Sequence, residues 1–298
     1  MKQAPRFRKK DKSVEAGFRR IAIEEIYVAL AVLAVRDPSP AEKIHKVRRQ
    51  TKAVRALLHL VRGSFRPFRR ENHAFRDIAR ALSGSRDAKV MLDTFDAITH
   101  RPDGGSPRGL MAARERLLSA CGDPADAEAL LAAALAALLS ARERARTWSL
   151  ADDGWAALSQ GLERTYGHAR KAMGAALMTG DAEASHEWRK AVKYLGGQAR
   201  LLRRMKPDRV NADIKAATRL GDLLGARHDI DLFLDNMARA PARFGDIVTV
   251  TQIAGLARLR LARLDRQSRR LGETLLAEKP EKRAERWGGY WKDWQDDG

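Results

Sequence analysis

The chain repeats itself, and this restricts its possible folds more than any other feature of the sequence. His45-Lys-Val-Arg48-Arg49-Gln-Thr-Lys52 returns 141 residues later as His186-Glu-Trp-Arg189-Lys190-Ala-Val-Lys193. Leu82-Ser-Gly-Ser-Arg86-Asp87 returns at an offset of 142 as Leu224-Gly-Ala-Arg227-His228-Asp229. Two separate blocks at nearly one offset imply a duplicated half, and duplicated units commonly pair about a pseudo-twofold axis. The local pattern is helical almost throughout. Apolar residues recur at three and four, strong helix formers dominate, and β-branched alternation is nearly absent. Candidate helices span 13–36, 40–62, 65–82, 85–99, 107–120, 125–148, 153–179, 181–205, 208–224, 227–239 and 246–277. Breakers such as Pro38, Pro40, Gly63 and the run Gly104-Gly105-Ser106-Pro107 punctuate them. The fold expected is all-α: two similar four-helix-type bundles, residues 13–150 and 151–278, about a basic central groove or pore. A flexible basic arm, 1–12, precedes them, and a Trp-rich tail, 279–298, follows.

Charge sharpens this reading. Lys and Arg number 57 against 38 Asp and Glu, a net charge of +19. That excess calls for a polyanionic partner or an acidic surface. In a helix successive residues turn by about 100°, so Arg48, Arg49, Lys52 and Arg55 share a face with His45. Val47, Val54, Leu57, Leu58 and Val61 take the opposite face. The second copy repeats the division, with His186, Arg189, Lys190, Lys193, Arg200 and Arg204 against Trp188, Ala191, Val192, Leu195, Ala199 and Leu202. The stripe from 45 to 62 contains no acid. Ordinary surface helices mix signs, because like charges at i,i+4 repel by a few tenths of a kcal/mol per pair, on the order of 0.2–0.5. A bound anion would relieve that repulsion. Arg66, Arg69, His73, Arg76 and Arg80 continue the pattern downstream, and Lys215 and Arg219 stand at matching places in the second half. A histidine at the head of each stripe can donate to a phosphate oxygen and gains charge beside an anion.

Other chemistries are poorly supported. One cysteine, Cys121, excludes a disulfide framework or a thiolate zinc cluster and points to a reducing compartment, the cytoplasm. The best apolar runs, 26–35 and 129–139, are too short to cross a bilayer, and Glu24 and Glu25 interrupt any signal-like apolar stretch. No phosphate-binding Gly-rich loop, His-x-x-x-His pair or dense carboxylate cluster is present. The expectation is therefore a binding protein rather than an enzyme, with no cofactor, no metal and no membrane partner. Nucleic acid is the rival ligand, since a duplex is also held by Arg and Lys on phosphate. The basic stripes, however, lack the interleaved aromatics that stack bases.

The paired His-x-x-Arg-[Arg/Lys]-x-x-Lys helices, each followed by a basic-Asp dipeptide (Arg86-Asp87, His228-Asp229), resemble the CHAD family, the conserved histidine α-helical domain. The resemblance covers about residues 13–278. It implies paired helical bundles, basic residues around a central groove, and binding of inorganic polyphosphate, in some members at polyphosphate granules. It carries His45, Arg48, Arg49 and Lys52, then His186, Arg189, Lys190 and Lys193, to the ligand. Arg86 and His228 stand at the basic position before each Asp, and Asp87 and Asp229 would orient neighbouring cations or cap helices rather than touch phosphate.

Overall fold

A computed structural model describes residues 5–82, 87–100, 108–119 and 126–296. These residues form eleven α-helices and no strand: α1 Val14–Ala34, α2 Pro40–Leu60, α3 Phe68–Ala81, α4 Asp87–Thr99, α5 Arg108–Ser119, α6 Ala127–Arg146, α7 Ala156–Thr179, α8 Ala182–Leu201, α9 Pro207–Arg239, α10 Ile247–Leu275 and α11 Pro280–Asp296. The two basic helices start from strong local signals. Ser39 and Glu42 close a reciprocal capping box at α2, behind Pro40 in the first turn. Asp181 caps α8 by accepting from the Ala184 N–H. α1 and α7 begin 142 residues apart, as do α2 and α8.

Three apolar clusters hold the helices. The first joins α1, α2, α3, α6, the start of α7, the end of α8 and α11 around Phe18, Phe65 and Trp148. The Phe18 and Trp148 rings stack at 5.1 Å. A second cluster lies among α4, α5, the distal half of α9 and α10, with Phe95, Phe233 and Phe244 inside. The third fills the space between α7, α8, the middle of α9 and the end of α10, with Tyr166, Trp188 and Leu224. The first core thus draws side chains from both sequence halves.

Two sequence expectations are corrected, and the place of the Trp-rich tail is settled. Residues 208–224 and 227–239 are not two helices, because α9 runs unbroken through Gly225. A helix-interior glycine costs only about 1 kcal/mol. Leu220, Leu223 and Leu224 on one side of it, and Ile230, Phe233 and Met237 on the other, are buried and outweigh that cost. The amino-terminal arm is not loose from residue 5 onward. Phe7 is 2% exposed, its N–H donates to the Leu201 carbonyl at 3.1 Å, and its ring meets Trp291 edge-on at 6.0 Å. Gly17 makes room for it, since a Cβ there would lie 2.8 Å from the Phe7 ring. The Trp-rich tail forms α11 against α7, with Trp287 only 1% exposed.

α2 and α8, the two helices of the repeated signature, touch directly. A Cβ at Gly197 would stand 2.5 Å from that of Ala56, so the missing side chain lets the backbones approach. The basic stripes flank this contact.

Candidate functional site

Beside the Ala56–Gly197 contact lies a cavity of about 1140 Å³, walled by α1, α2, α8, α9 and the docked amino-terminal segment. Arg49 and Lys52 enter from α2, Lys193 and Arg200 from α8, and Arg8 from the segment before α1. Its bed is small and apolar, with Ala53, Ala56, Val192, Gly196 and Gly197. Three carboxylates share the lining: Glu24, Glu25 and Asp222. Glu24 is engaged by Arg8 at 3.1 Å and by Arg20 at 3.0 Å. Glu25 is 7% exposed. Burial pushes its carboxyl up to about 7, with Arg49 opposing and Glu24 assisting. Arg200 donates to the Thr218 hydroxyl at 2.7 Å, which fixes its guanidinium over the α8–α9 edge. Arg49, Lys52, Lys193 and Arg200 are exposed, and cations gathered from two facing helices over one bed attract an anion more strongly than scattered surface charges do.

A family model described as CHAD domain matches residues 26–238. The chain belongs to the CHAD domain family. No curated protein and no solved structure matches it.

The CHAD signature residues divide by environment. Of the expected set, Arg49, Lys52 and Lys193 line the cavity. Arg48 serves the fold as well as the charge pattern: its Nη1 donates to the Ala79 carbonyl at 2.6 Å and ties α2 to α3. Arg55 turns to the other side of α2. Its Nε donates to Asn72 Oδ1 at 3.0 Å, and its guanidinium lies 5.5 Å from the Tyr194 ring of α8. Lys190 pairs with Glu187, one turn back on the same helix. Arg69, His73, Arg76 and Arg80 are exposed on α3, and Lys215 and Arg219 on α9. None of these six lines the cavity. Arg86 lies outside the described residues.

The histidines also part company. His45 is exposed near the start of α2. His186 is half-buried with its ring 4.4 Å from that of His228 on α9. His186 Nδ1 and Arg189 Nε are buried and meet no hydrogen-bond partner. Burial lowers the His186 proton affinity, and Lys190 and Arg189 lower it further. His228 is pushed down to about 4 by burial, then by His186, Arg189, Arg227 and Lys193. Burial lowers the proton affinity of Arg189, and the Asp229 charge opposes that. Lys193 links the two zones, since it lines the cavity and also acts on His228.

Sequence reasoning missed several lining groups. Arg8 falls in the stretch read as a flexible arm, and Glu24 and Glu25 were read only as interruptions of an apolar run. Arg200 was legible on the basic face of α8 although it lies beyond the repeated signature. Among the described residues no cluster of three His, Cys, Asp or Glu side chains could hold a metal ion.

Proposed function

We propose that this CHAD protein binds inorganic polyphosphate in the cavity between α2 and α8, without acting on it chemically. The observation that carries this reading is the convergence of Arg49 and Lys52 with Lys193 and Arg200 on one cavity from two helices of the same signature. A phosphate chain offers what such walls need: closely spaced anionic oxygens and no apolar or base-specific surface. Arginine forks pair two oxygens at once, and lysine supplies point charge between them. The buried, partnerless nitrogens of His186 and Arg189 extend the donor set beyond Lys193. Family membership supports the same ligand class. The duplication belongs to this reading: equal spacing of α1 from α7 and of α2 from α8 along the chain supports an equivalent origin for the two walls, and a pseudo-twofold relation between them is part of the proposal. Association with polyphosphate granules would follow from binding long chains.

Nucleic acid shares the phosphate but adds bases. Among the described lining residues only Tyr27 is aromatic, so the walls offer no series of rings on which successive bases could stack. Labelled long-chain polyphosphate, displaced by unlabelled polyphosphate, duplex DNA or RNA at matched phosphate concentration, separates the two ligands. Displacement by polyphosphate at a concentration at least tenfold below that of either nucleic acid is the expected result. Equal or preferential displacement by nucleic acid would overturn the assignment.

A further inference from the structure

The outer face of α10 carries charge that the cavity does not use. Arg258, Arg263, Arg266 and Arg270 are exposed, and among the described residues none of their four guanidinium groups makes an ion pair or hydrogen bond. Several arginines elsewhere on the surface are answered by acids, Arg114 by Asp96, Arg146 by Glu143 and Arg286 by Glu278. On α10 itself Glu273 is taken by Arg269 and Asp265 by Arg227. Large apolar side chains stand outward on the same helix. Ile247 is 77% exposed, Val248 71% and Leu259 70%. At about 100° per residue, Val248, Leu259 and Arg266 fall within about 20° of one another, with Arg263 and Arg270 within about 60° and Arg258 flanking. α10 contributes nothing to the cavity lining, so this face is a separate feature. Its inner side is already satisfied by the second and third cores.

Unanswered arginines at i,i+3 and i,i+4 repel one another, and outward Val and Leu between them gain nothing from water. A surface that presents anionic phosphate beside hydrocarbon answers both. We infer that the outer face of α10 docks on an anionic phospholipid surface. The arginines meet headgroup phosphates while Val248 and Leu259 enter the boundary with the acyl chains. Such docking is peripheral, because no helix among the described residues is long and apolar enough to cross a membrane. A bare polyphosphate chain would engage the arginines equally but has no use for the exposed Val and Leu. This inference does not depend on the cavity reading.

The test is sedimentation of the full chain with phosphatidylcholine vesicles containing phosphatidylglycerol, against vesicles of phosphatidylcholine alone. Binding is expected only to the anionic vesicles. Loss of about fivefold in affinity per arginine is expected for Arg258→Gln, Arg263→Gln, Arg266→Gln and Arg270→Gln, from the attraction of basic residues to an anionic leaflet. Val248→Ser with Leu259→Ser should weaken binding several-fold and leave polyphosphate affinity unchanged. Circular dichroism would verify that each variant stays helical. Should the four-arginine variant bind anionic vesicles like the parent protein, the inference fails. It also fails if Val248→Ser with Leu259→Ser has no effect on vesicles, or if the four-arginine change lowers polyphosphate affinity instead. The Arg49→Ala, Lys52→Ala variant should keep vesicle binding, and its loss there would assign the lipid contact to the cavity.

Discussion

α2 and α8 carry one signature in two environments. On α2 the leading histidine is exposed, Arg48 is spent on the Ala79 carbonyl, and Arg49 and Lys52 remain for the cavity. On α8 the leading histidine is packed against His228, Arg189 is partly buried with an orphaned Nε, and Lys193 and Arg200 face the cavity. The cause lies in the next helix. The unbroken α9 carries Gly225 and His228 past α8, and the open flank at Gly225 leaves the Arg189 guanidinium within 3.6 Å of where a Cβ would stand. The same eight-residue signature therefore gives an exposed, purely cationic wall on one side. On the other it gives a wall with a titratable, partly desolvated extension.

If both walls grip one chain, removing either should hurt comparably. Arg49→Ala with Lys52→Ala, and Lys193→Ala with Arg200→Ala, should each weaken polyphosphate binding about 100-fold at low salt, from roughly 1.5 kcal/mol per charge-assisted contact. Each pair should also flatten the salt dependence, as fewer counterions are exchanged. Fluorescence anisotropy across a salt series measures both. An effect confined to α2 would break the equivalence of the walls.

Glu25 places a buried acid close to the α2 wall alone. Its folded value, about 7 against an ordinary 4.5, means that burial penalises the ionised carboxylate. The penalty is absent below the ordinary value and grows as pH rises toward and through about 7. Glu25→Gln should therefore stabilise the free protein at pH 8 by on the order of 2–3 kcal/mol and hardly at all at pH 4. Denaturant unfolding at the two pH values checks this; equal gains at both would mean that Glu25 is well solvated.

Gly197→Val probes the contact that sets the walls' spacing. The added side chain must displace Ala56, at a cost of about 1–3 kcal/mol from overpacking. Ala56→Gly in the same background should restore part of it, as read by thermal unfolding. Additive losses would mean that the two residues do not meet.

The smallest effect separates the histidines. His186 and His228 hold protons weakly in the free protein, so their neutral state is complete above the ordinary value near 6.5. Native stability falls as pH drops below it, because the unfolded chain takes protons there first. An anion alongside raises both affinities, so binding should take up less than one proton near pH 6 and strengthen as pH falls. Calorimetry in two buffers of different ionisation enthalpy reads that uptake. His186→Gln with His228→Gln should abolish it, whereas His45→Gln should leave it unchanged. Loss of uptake in the His45 variant would reverse the comparison.

The sequence made the helical class and the faces of α2 and α8 legible because period and charge are local properties. Arg49, Lys52 and Lys193 followed from projection alone. Three features did not. The continuity of α9 through Gly225 depends on buried leucines and Phe233 from two different cores, which outweigh a local breaker. The pairing of His186 with His228, rather than with its repeat partner His45, depends on which helix packs over α8. The role of Arg8 depends on the amino-terminal segment folding back against Leu201, a long-range contact with no sequence period, and that of Glu25 on α1 packing beside Arg49 of α2. Arg69, His73 and Arg76, equally legible as a basic helical stripe, lie exposed on α3 outside the cavity.

The central claim is that the phosphate chain lies between α2 and α8. A crystal structure of the full chain with bound long-chain polyphosphate tests it most directly. The account predicts a continuous run of phosphate density in the cavity, with oxygens within hydrogen-bond reach of Arg49, Lys52, Lys193 and Arg200. Density confined to the exposed α3 stripe or to α10, with the cavity holding only water, would contradict it.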